Sequence, residues 1–323
     1  MKQETTFKAL KASGYAHKTI NQEIQANLIS RIKAKQPVFE GLLGYEDTVV
    51  PQLKKAILAG HHINLLGLRG QAKTRIARSM VDLLDEYMPI VQGSEINDSP
   101  FAPISRFAVD LMAELGDKTP IAWVHRSARF FEKLATPDVN ISDLIGDIDP
   151  IKAATLKLPY SDERVLHYGM IPRANRCIFV LNELPDLQAR IQVSLFNILQ
   201  EGDIQIRGFQ LRMPLDIQFV FTANPEDYTN RGSIVTPLKD RIGSQIFTHY
   251  PKNIALARAI TEQEAKISAE DLAAVFIPDM AKNLLEEVSF TARDSEYVDA
   301  KSGVSARLSI SAMETLSPPA NFA

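Results

Sequence analysis

The feature that most constrains the fold of this chain is a glycine-containing loop between an apolar run and an amphipathic stretch. The run HINLLGL (62–68) has the length of a strand, and TRIARSMVDLLDEYM (74–88) has the spacing of a helix. The loop between them, 67–74, matches the phosphate-binding pattern G-x-x-x-x-G-K-[ST], except that Ala72 replaces the last glycine. This order predicts a nucleotide site, and a strand–turn–helix with an incidental Lys-Thr pair is the alternative.

The residues of this loop have the chemistry that a nucleotide requires. Backbone N–H groups at a helix N-terminus hold phosphate, and Gly67 and Gly70 give the backbone the freedom to do so. Lys73 is predicted to reach the β- and γ-phosphates of ATP, and Thr74 to place its hydroxyl on Mg²⁺. Ala72 adds only a methyl group, which fits if this residue has helical φ and ψ, because only a positive φ excludes it strongly. We therefore interpret Ala72 as a variant of the loop.

Polar residues also follow two later apolar strands. RCIFVL (176–181) precedes Asn182 and Glu183, the place of a Walker B Asp-Glu pair. Glu183 is the carboxylate that a hydrolase needs near its metal. Asn182 has lost the aspartate charge but keeps an oxygen for a Mg²⁺-bound water, so we expect weaker Mg²⁺ affinity. The third strand ends at Asn224, which either orients the attacking water or starts a turn with Pro225.

The alternation of strands and helices predicts an α/β fold with a mostly parallel sheet between helices. Helix-favouring sequence precedes and follows it; in the first part, Ile24, Leu28 and Ile32 share one helical face. The chain is therefore divided into an N-terminal helical segment over 1–40, a core over 41–250, a small helical lid over 251–317 and a tail over 318–323.

Length and composition are those of an ordinary globular protein. The chain has 323 residues, 45% hydrophobic and 23% charged, with a net charge of −3 and a pI near 6.1. We expect no nucleic-acid partner, because basic residues are not in excess over acidic ones. No apolar stretch of about 18 residues and no secretory signal occur, so we expect no membrane span and a cytoplasmic location. The single cysteine, Cys177, excludes a disulfide framework and is predicted to be a buried structural thiol.

The order of these motifs resembles the AAA+ ATPases of the MoxR and magnesium chelatase I-subunit group. The Gln-Ala-Lys-Thr form of the loop is similar to one common in MoxR proteins, and Gly44-Tyr45-Glu46 is similar to a segment that lies near the adenine. The remaining motifs that carry the resemblance are the hairpin EGDIQIRG (201–208), the strand ending TANP (222–225), DRIG (240–243) and SAR (305–307).

The resemblance implies roles by position. Glu183 polarises water, Asn224 is the first sensor, Arg307 is the second sensor on the lid, and Arg241 is an arginine finger that acts on a neighbouring subunit, with Arg231 as its rival. Such a finger is worth several kcal/mol of transition-state stabilisation. The metal ligands are Thr74 and Asn182. The predicted nucleotide contacts are Gly44, Tyr45, Gly67, Gly70, Gln71, Ala72, Lys73, Thr74 and Arg75.

The resemblance further implies an insert in the second helix at about 143–169 and a hairpin before the first sensor at about 203–213. A second core strand is expected between the loop helix and Asp143. Because the chain ends soon after Arg307, the lid is expected to be minimal or truncated.

The function implied is an ATP-hydrolysing ring, expected to be a hexamer, that remodels or matures a partner protein or assists metal insertion. A von Willebrand A-domain protein from another chain is the expected partner. The alternative is a low-turnover ATP-dependent switch or assembly scaffold, which Asn182 favours. A sigma-dependent transcription activator is disfavoured, since the sequence lacks a G-A-F-T-G-A loop.

Overall fold

The structure is a computed structural model that describes residues 4–160, 162–205, 212–225, 233–268, 270, 275–298 and 304–316. Its strands are β1 (Ile63–Leu66), β2 (Tyr87–Val91), β3 (Ile121–His125), β4 (Phe130–Leu134), β5 (Gly146–Ile148), β6 (Leu166–Tyr168), β7 (Cys177–Asn182), β8 (Asp203–Gln205), β9 (Arg212–Pro214), β10 (Ile217–Ala223) and β11 (Ser244–Phe247).

The centre of the molecule is a five-stranded sheet in the order β11, β1, β10, β7, β4. Every neighbouring pair in it is parallel, which confirms the predicted parallel sheet. Strand β4, from the stretch before Asp143, is the expected second core strand and forms one edge. In a parallel sheet all the strands end on the same side, so the residues after β1, β7 and β10 lie close together.

Helices cover both faces of this sheet, and helices are also the first and last elements of the described residues. They are α1 (Phe7–Ala12), α2 (Ile20–Lys33), α3 (Val49–Leu58), α4 (Lys73–Ser79), α5 (Arg106–Leu115), α6 (Ile141–Leu144), α7 (Pro150–Leu156), α8 (Met170–Arg173), α9 (Ala189–Ser194), α10 (Phe196–Glu201), α11 (Thr236–Arg241), α12 (Ile254–Glu264), α13 (Asp279–Asp294) and α14 (Arg307–Leu316). None of the helices in the described ranges has both the length and the apolar composition needed to cross a membrane.

Alternating side chains of the central strands fill two hydrophobic layers. Phe179 and Phe219 point into one layer, which packs against α9, α10 and α11. Ile178 and Val180 point into the other, against α2, α3 and α4. Cys177 is fully buried in the first layer, and burial raises the pKa of its thiol to about 12, as expected of a structural thiol.

The helix predicted over 74–88 is wrong in its second half. Helix α4 ends at Ser79, a 3₁₀ turn covers Met80–Leu83, and Met88 belongs to β2. Pro89 follows Met88, and a residue before proline is pushed towards extended backbone. The helical face predicted near the N-terminus is only partly buried: Ile24 and Leu28 are enclosed, whereas Ile32 is 44% exposed.

Both predicted inserts contain antiparallel strand pairs. Strands β5 and β6 pair within the insert at 143–169, together with α7. Strands β8 and β9 form the arms of the hairpin, and its tip, 206–211, lies outside the described residues. The predicted tail also lies outside them.

The three C-terminal helices α12, α13 and α14, which belong to the predicted lid, are held together around a buried carboxylate. Glu286 of α13 accepts hydrogen bonds from the hydroxyl groups of Thr261 of α12 (2.6 Å) and Ser309 of α14 (2.9 Å). Helix α13 begins at Asp279, directly after Pro278. Residues 271–274 lie outside the described part of the chain.

A buried ionic cluster lies at the amino ends of the strands, opposite the glycine loop. Arg129 precedes β4, is fully buried, and donates to both carboxylate oxygens of Glu23 of α2, at 2.6 and 2.8 Å. It also donates to the carbonyl oxygen of Arg176, which precedes β7. Burial acts to lower the pKa of Arg129, but the hydrogen bonds and charge of Glu23 hold it above its ordinary value. This cluster therefore fixes α2 to the sheet.

Candidate nucleotide site

A cavity of about 920 Å³ lies between the core and the lid, at the carboxyl ends of β1 and β7. The structure brings most of the predicted site residues to its wall. Those that line it are Gly44, Tyr45, Gly70, Gln71, Ala72, Lys73, Thr74, Arg75, Asn182, Glu183 and Arg307. Gly67, Asn224 and Arg241 are not among its lining residues.

Ala72 has a left-handed backbone, with φ of 55° and ψ of 21°, at the position before α4. Alanine was expected to fit at residue 72 because a helical φ and ψ were assumed there, and this assumption is wrong. A Cβ atom in this conformation crowds the following carbonyl and costs about 1–2 kcal/mol, which glycine avoids. The loop thus keeps the backbone shape of a glycine at residue 72 and carries strain there.

Replacing Ala72 by glycine is expected to raise the free energy of unfolding by about 1 kcal/mol, since the strain is removed and only part is lost to the greater freedom of the unfolded chain. Chemical denaturation measures this. Ala259 is an exposed alanine inside α12 with ordinary helical backbone, and Ala259→Gly is the matched control. It is expected to lower stability by about 1 kcal/mol. A loss of stability in both variants would contradict the strain at Ala72.

Two glycines of the loop are required by close contacts. A Cβ atom on Gly67 would lie 1.9 Å from the hydroxyl oxygen of Thr248, and one on Gly70 would lie 2.5 Å from Cβ of Ser305 in the lid. Gly70 also has a positive φ of 75°. The predicted lid therefore rests directly on the glycine-containing loop.

Lys73 is buried, and its ammonium group donates to the carbonyl oxygens of Gly67 and Leu68, the latter at 3.0 Å. Thr74 is the next residue on the first turn of α4, beside it on the cavity wall. A hydroxyl from Thr74, an amide oxygen and the carboxylate of Glu183 are hard oxygen donors, the kind that Mg²⁺ prefers. The side chains on this wall therefore fit a Mg²⁺–nucleotide.

A chain of hydrogen bonds fixes the end of β7. The amide nitrogen of Asn182 donates to Glu132 at 2.6 Å, and its oxygen accepts from the hydroxyl of Thr222 at 3.1 Å. The N–H of Glu183 donates to the same hydroxyl oxygen at 3.1 Å. The other oxygen of Glu132 accepts from Arg78 of α4 at 2.9 Å. Sequence reasoning missed Glu132; a carboxylate directly after two phenylalanines in a stretch of strand length was the available signal.

Tyr45, which was predicted to lie near the adenine, and Gln71 form hydrogen bonds with other parts of the protein. The hydroxyl of Tyr45 lies 3.0 Å from the carbonyl oxygen of Gln71 and 2.9 Å from that of His249. Burial raises the pKa of Tyr45, so this hydroxyl stays protonated. The side-chain oxygen of Gln71 accepts from Thr248 at 2.8 Å. Both the backbone carbonyl oxygen and the side-chain oxygen of Gln71 therefore accept hydrogen bonds from other parts of the protein.

Side chains also connect the predicted lid to the core. Arg75, a predicted nucleotide contact, pairs with Glu264 of α12. Tyr250 donates its hydroxyl to the carbonyl oxygen of Arg69 at 2.7 Å, and the guanidinium of Arg293 lies 4.4 Å from the centre of the Tyr250 ring. Arg307, the predicted second sensor, is exposed at the start of α14 and faces the cavity.

Two predicted catalytic residues lie away from the cavity wall. Asn224 is buried directly after β10. Arg241 ends α11, where its guanidinium lies over the ring of Phe196 and donates to the side chain of Gln200 at 2.9 Å and to the carbonyl oxygen of Pro237. The rival residue, Arg231, lies outside the described residues.

Parts of this chain are similar to known proteins. A family profile described as the Sigma-54 interaction domain matches residues 159–243. The chloroplastic magnesium-chelatase subunit ChlI-1 of Arabidopsis thaliana is 24% identical over 73% of this chain and 54% of its own length. The magnesium-chelatase 38 kDa subunit of Cereibacter sphaeroides is 23% identical over 70% of this chain and 63% of its own length. Over most of its length the chain is therefore similar in sequence to subunits of magnesium chelatase.

The chain spans between 54% and 63% of the length of these two curated relatives. Among solved structures, a cryo-EM-based description of the complex between subunits BchI and BchD of magnesium chelatase has a TM-score of 0.49 at 18% identity, over 87% of this chain and 94% of that chain. NtrX from Brucella abortus in complex with ATP has a TM-score of 0.40 at 16% identity, over 88% of this chain and 56% of that chain.

Proposed function

We propose that this protein binds ATP with Mg²⁺ between its core and lid and hydrolyses the ATP between the subunits of a ring. The observation that carries the proposal is the single cavity wall on which Lys73, Thr74, Asn182 and Glu183 meet Arg307 from the lid. A lysine for phosphate, oxygen donors for a metal and a carboxylate for water are the parts that phosphoryl transfer needs.

Each side chain has a distinct task in this proposal. Lys73 exchanges the carbonyl oxygens of Gly67 and Leu68 for phosphate oxygens, and Thr74 and Asn182 hold Mg²⁺ directly or through water. The metal, when bound, neutralises charge on the phosphate oxygens. Glu183 orients and polarises the attacking water, and Asn224 and Arg307 act as the two sensors.

Arg241 is proposed to complete the site of a neighbouring subunit. Its guanidinium lies outside the cavity of its own chain, so a role in hydrolysis requires a second copy. A closed ring supplies each site with one such arginine, and we propose a hexamer.

The client is proposed to be a protein. The curated relatives are named subunits of magnesium chelatase, so action on a partner subunit, by remodelling, maturation or assisted metal insertion, is the reaction class proposed, with a von Willebrand A-domain protein as the partner. Transcription activation is not proposed, because the segment matched by the Sigma-54 profile contains no G-A-F-T-G-A sequence.

A second candidate is a low-turnover ATP-dependent switch or assembly scaffold. The amide oxygen of Asn182 already accepts a hydrogen bond from Thr222, and an amide attracts Mg²⁺ less than a carboxylate does. Tight ATP binding with very slow hydrolysis would favour this candidate.

The test combines binding of a fluorescent ATP analogue with phosphate release over a range of protein concentrations. We expect wild-type activity per subunit to rise with concentration, because sites are completed between subunits. Glu183→Gln should keep ATP affinity and lower the hydrolysis rate by about a hundredfold or more. The control, Glu114→Gln, changes an exposed carboxylate of α5 and should match wild type. Failure of the wild type to bind ATP would refute the proposal.

A further inference from the structure

Glu132 contacts Asn182 at the end of β7, although Glu132 belongs to none of the sequence motifs described above. It lies on β4, opposite Val180 in the parallel pairing, and Leu134 lies opposite Asn182. Residues paired in this way share a face of the sheet with their neighbours two positions along. Glu132 therefore lies on the same face of the sheet as Asn182, beside α4. Its carboxylate contacts the side-chain amide of Asn182 there.

The contacts of Asn182 fix the orientation of its amide. Only the nitrogen can donate to the carboxylate of Glu132, at 2.6 Å, so the oxygen faces the hydroxyl of Thr222. A hydrogen bond to a carboxylate is about twice as strong as one between neutral groups. Asn182 is only 9% exposed, so water competes little for this bond.

We propose that Glu132 supplies, through Asn182, the negative charge that the Walker B position of this chain lacks. The negative charge lies on β4 instead of β7. The side chain of Asn182 connects it to the part of the cavity that is proposed to hold Mg²⁺. Glu132 is a positioning residue in this scheme and does not itself touch the ligand. The inference rests on the proposed Mg²⁺–ATP site.

Arg78 provides the competing explanation for Glu132. It binds the other carboxylate oxygen at 2.9 Å and lies over the ring of Phe130, so Glu132 would then be only a partner in a surface ion pair. The Arg78 side chain is 64% exposed, however, whereas Asn182 is buried. Exposed ion pairs contribute little because solvent screens them. The buried contact with Asn182 is therefore the stronger of the two.

This arrangement predicts that an aspartate at residue 182, the usual residue of a Walker B pair, is unfavourable in this chain. Asn182→Asp places a second carboxylate where the amide now donates to Glu132, so two like charges face each other. This variant is expected to unfold at a lower temperature than wild type and not to gain Mg²⁺ affinity. Glu132→Gln together with Asn182→Asp reverses the pair: the new glutamine amide donates to the new aspartate, and one charge remains.

The experiment measures two quantities for five proteins: wild type, Glu132→Gln, Asn182→Asp, the double variant and Arg78→Gln. Equilibrium binding of a fluorescent ADP analogue is titrated with Mg²⁺, and thermal unfolding is recorded without nucleotide. Glu132→Gln should raise the Mg²⁺ concentration needed for half-saturation by about tenfold, the usual effect of losing an outer partner of a metal ligand. The double variant should return towards wild type in both measurements, and Arg78→Gln should shift the binding by less than about twofold.

Two results would overturn the inference. In the first, Arg78→Gln weakens Mg²⁺-dependent binding as much as Glu132→Gln does, which makes Glu132 an ion-pair partner only. In the second, Asn182→Asp alone binds Mg²⁺ more tightly without loss of thermal stability. Wild-type protein that binds no nucleotide would remove the proposed function as well, whereas normal binding by Glu132→Gln would remove this inference alone.

Discussion

Arg241→Ala is expected to bind ATP within about twofold of wild type and to hydrolyse it about a thousandfold more slowly, the lower end of the range for a lost arginine finger. The guanidinium makes its contacts with Phe196, Gln200 and Pro237, outside the cavity of its own chain. Its removal therefore takes nothing from ATP binding within one subunit. Binding and phosphate release are measured on the same preparation, with Lys239→Ala, an exposed lysine of the same helix, as the control.

Mixing two inactive variants tests whether Arg241 acts on a neighbour. Arg241→Ala subunits keep an intact Glu183, and Glu183→Gln subunits keep an intact Arg241. At an interface between the two variants, one site contains both groups, so the mixture should recover part of the wild-type rate. A mixture that stays inactive although the subunits associate, or an Arg241→Ala variant that fails to bind ATP, would contradict the assignment in trans.

The sequence was sufficient for those parts of the site that depend on chain order. Glycines follow β1, Asn182 and Glu183 lie at the end of β7, and Asn224 follows β10. A parallel sheet brings such positions to one edge whatever the details of packing. The order of the motifs along the chain therefore predicted the sheet, and most of the predicted site residues line the cavity.

Properties that depend on three-dimensional packing were not predictable in this way. The positive φ of Ala72 is a backbone conformation, and the sequence only suggested that glycine is usual at that position. The contact between Glu132 and Asn182 depends on the register of β4 against β7, which joins residues fifty positions apart. Met88 was assigned to a helix because its spacing fitted, whereas the following proline favours a strand.

Arg129→Met is expected to lower the free energy of unfolding by about 3–5 kcal/mol, because it leaves the carboxylate of Glu23 buried without its partner. Glu23 is 6% exposed and Arg129 is fully buried, so solvent cannot replace the lost contact. Two further charged groups lie nearby: burial lowers the pKa of Arg176 and raises the pKa of Asp216. Chemical denaturation measures the loss, and Arg106→Met is the control, since it breaks an exposed pair with Asp110.

The same variant separates stability from function. Arg129 lies at the amino ends of the strands and the cavity lies at their carboxyl ends, so folded Arg129→Met should bind ATP as wild type does. Replacing both partners, with Glu23→Met and Arg129→Met together, should cost less than the sum of the two single changes, since no buried charge of the pair is then left alone. An Arg129→Met variant of wild-type stability would mean that the pair contributes nothing. Additive losses in the double variant would mean that the two groups act independently, and that each is held by its other contacts, the carbonyl oxygen of Arg176 for Arg129 and the N–H of Asp85 for Glu23.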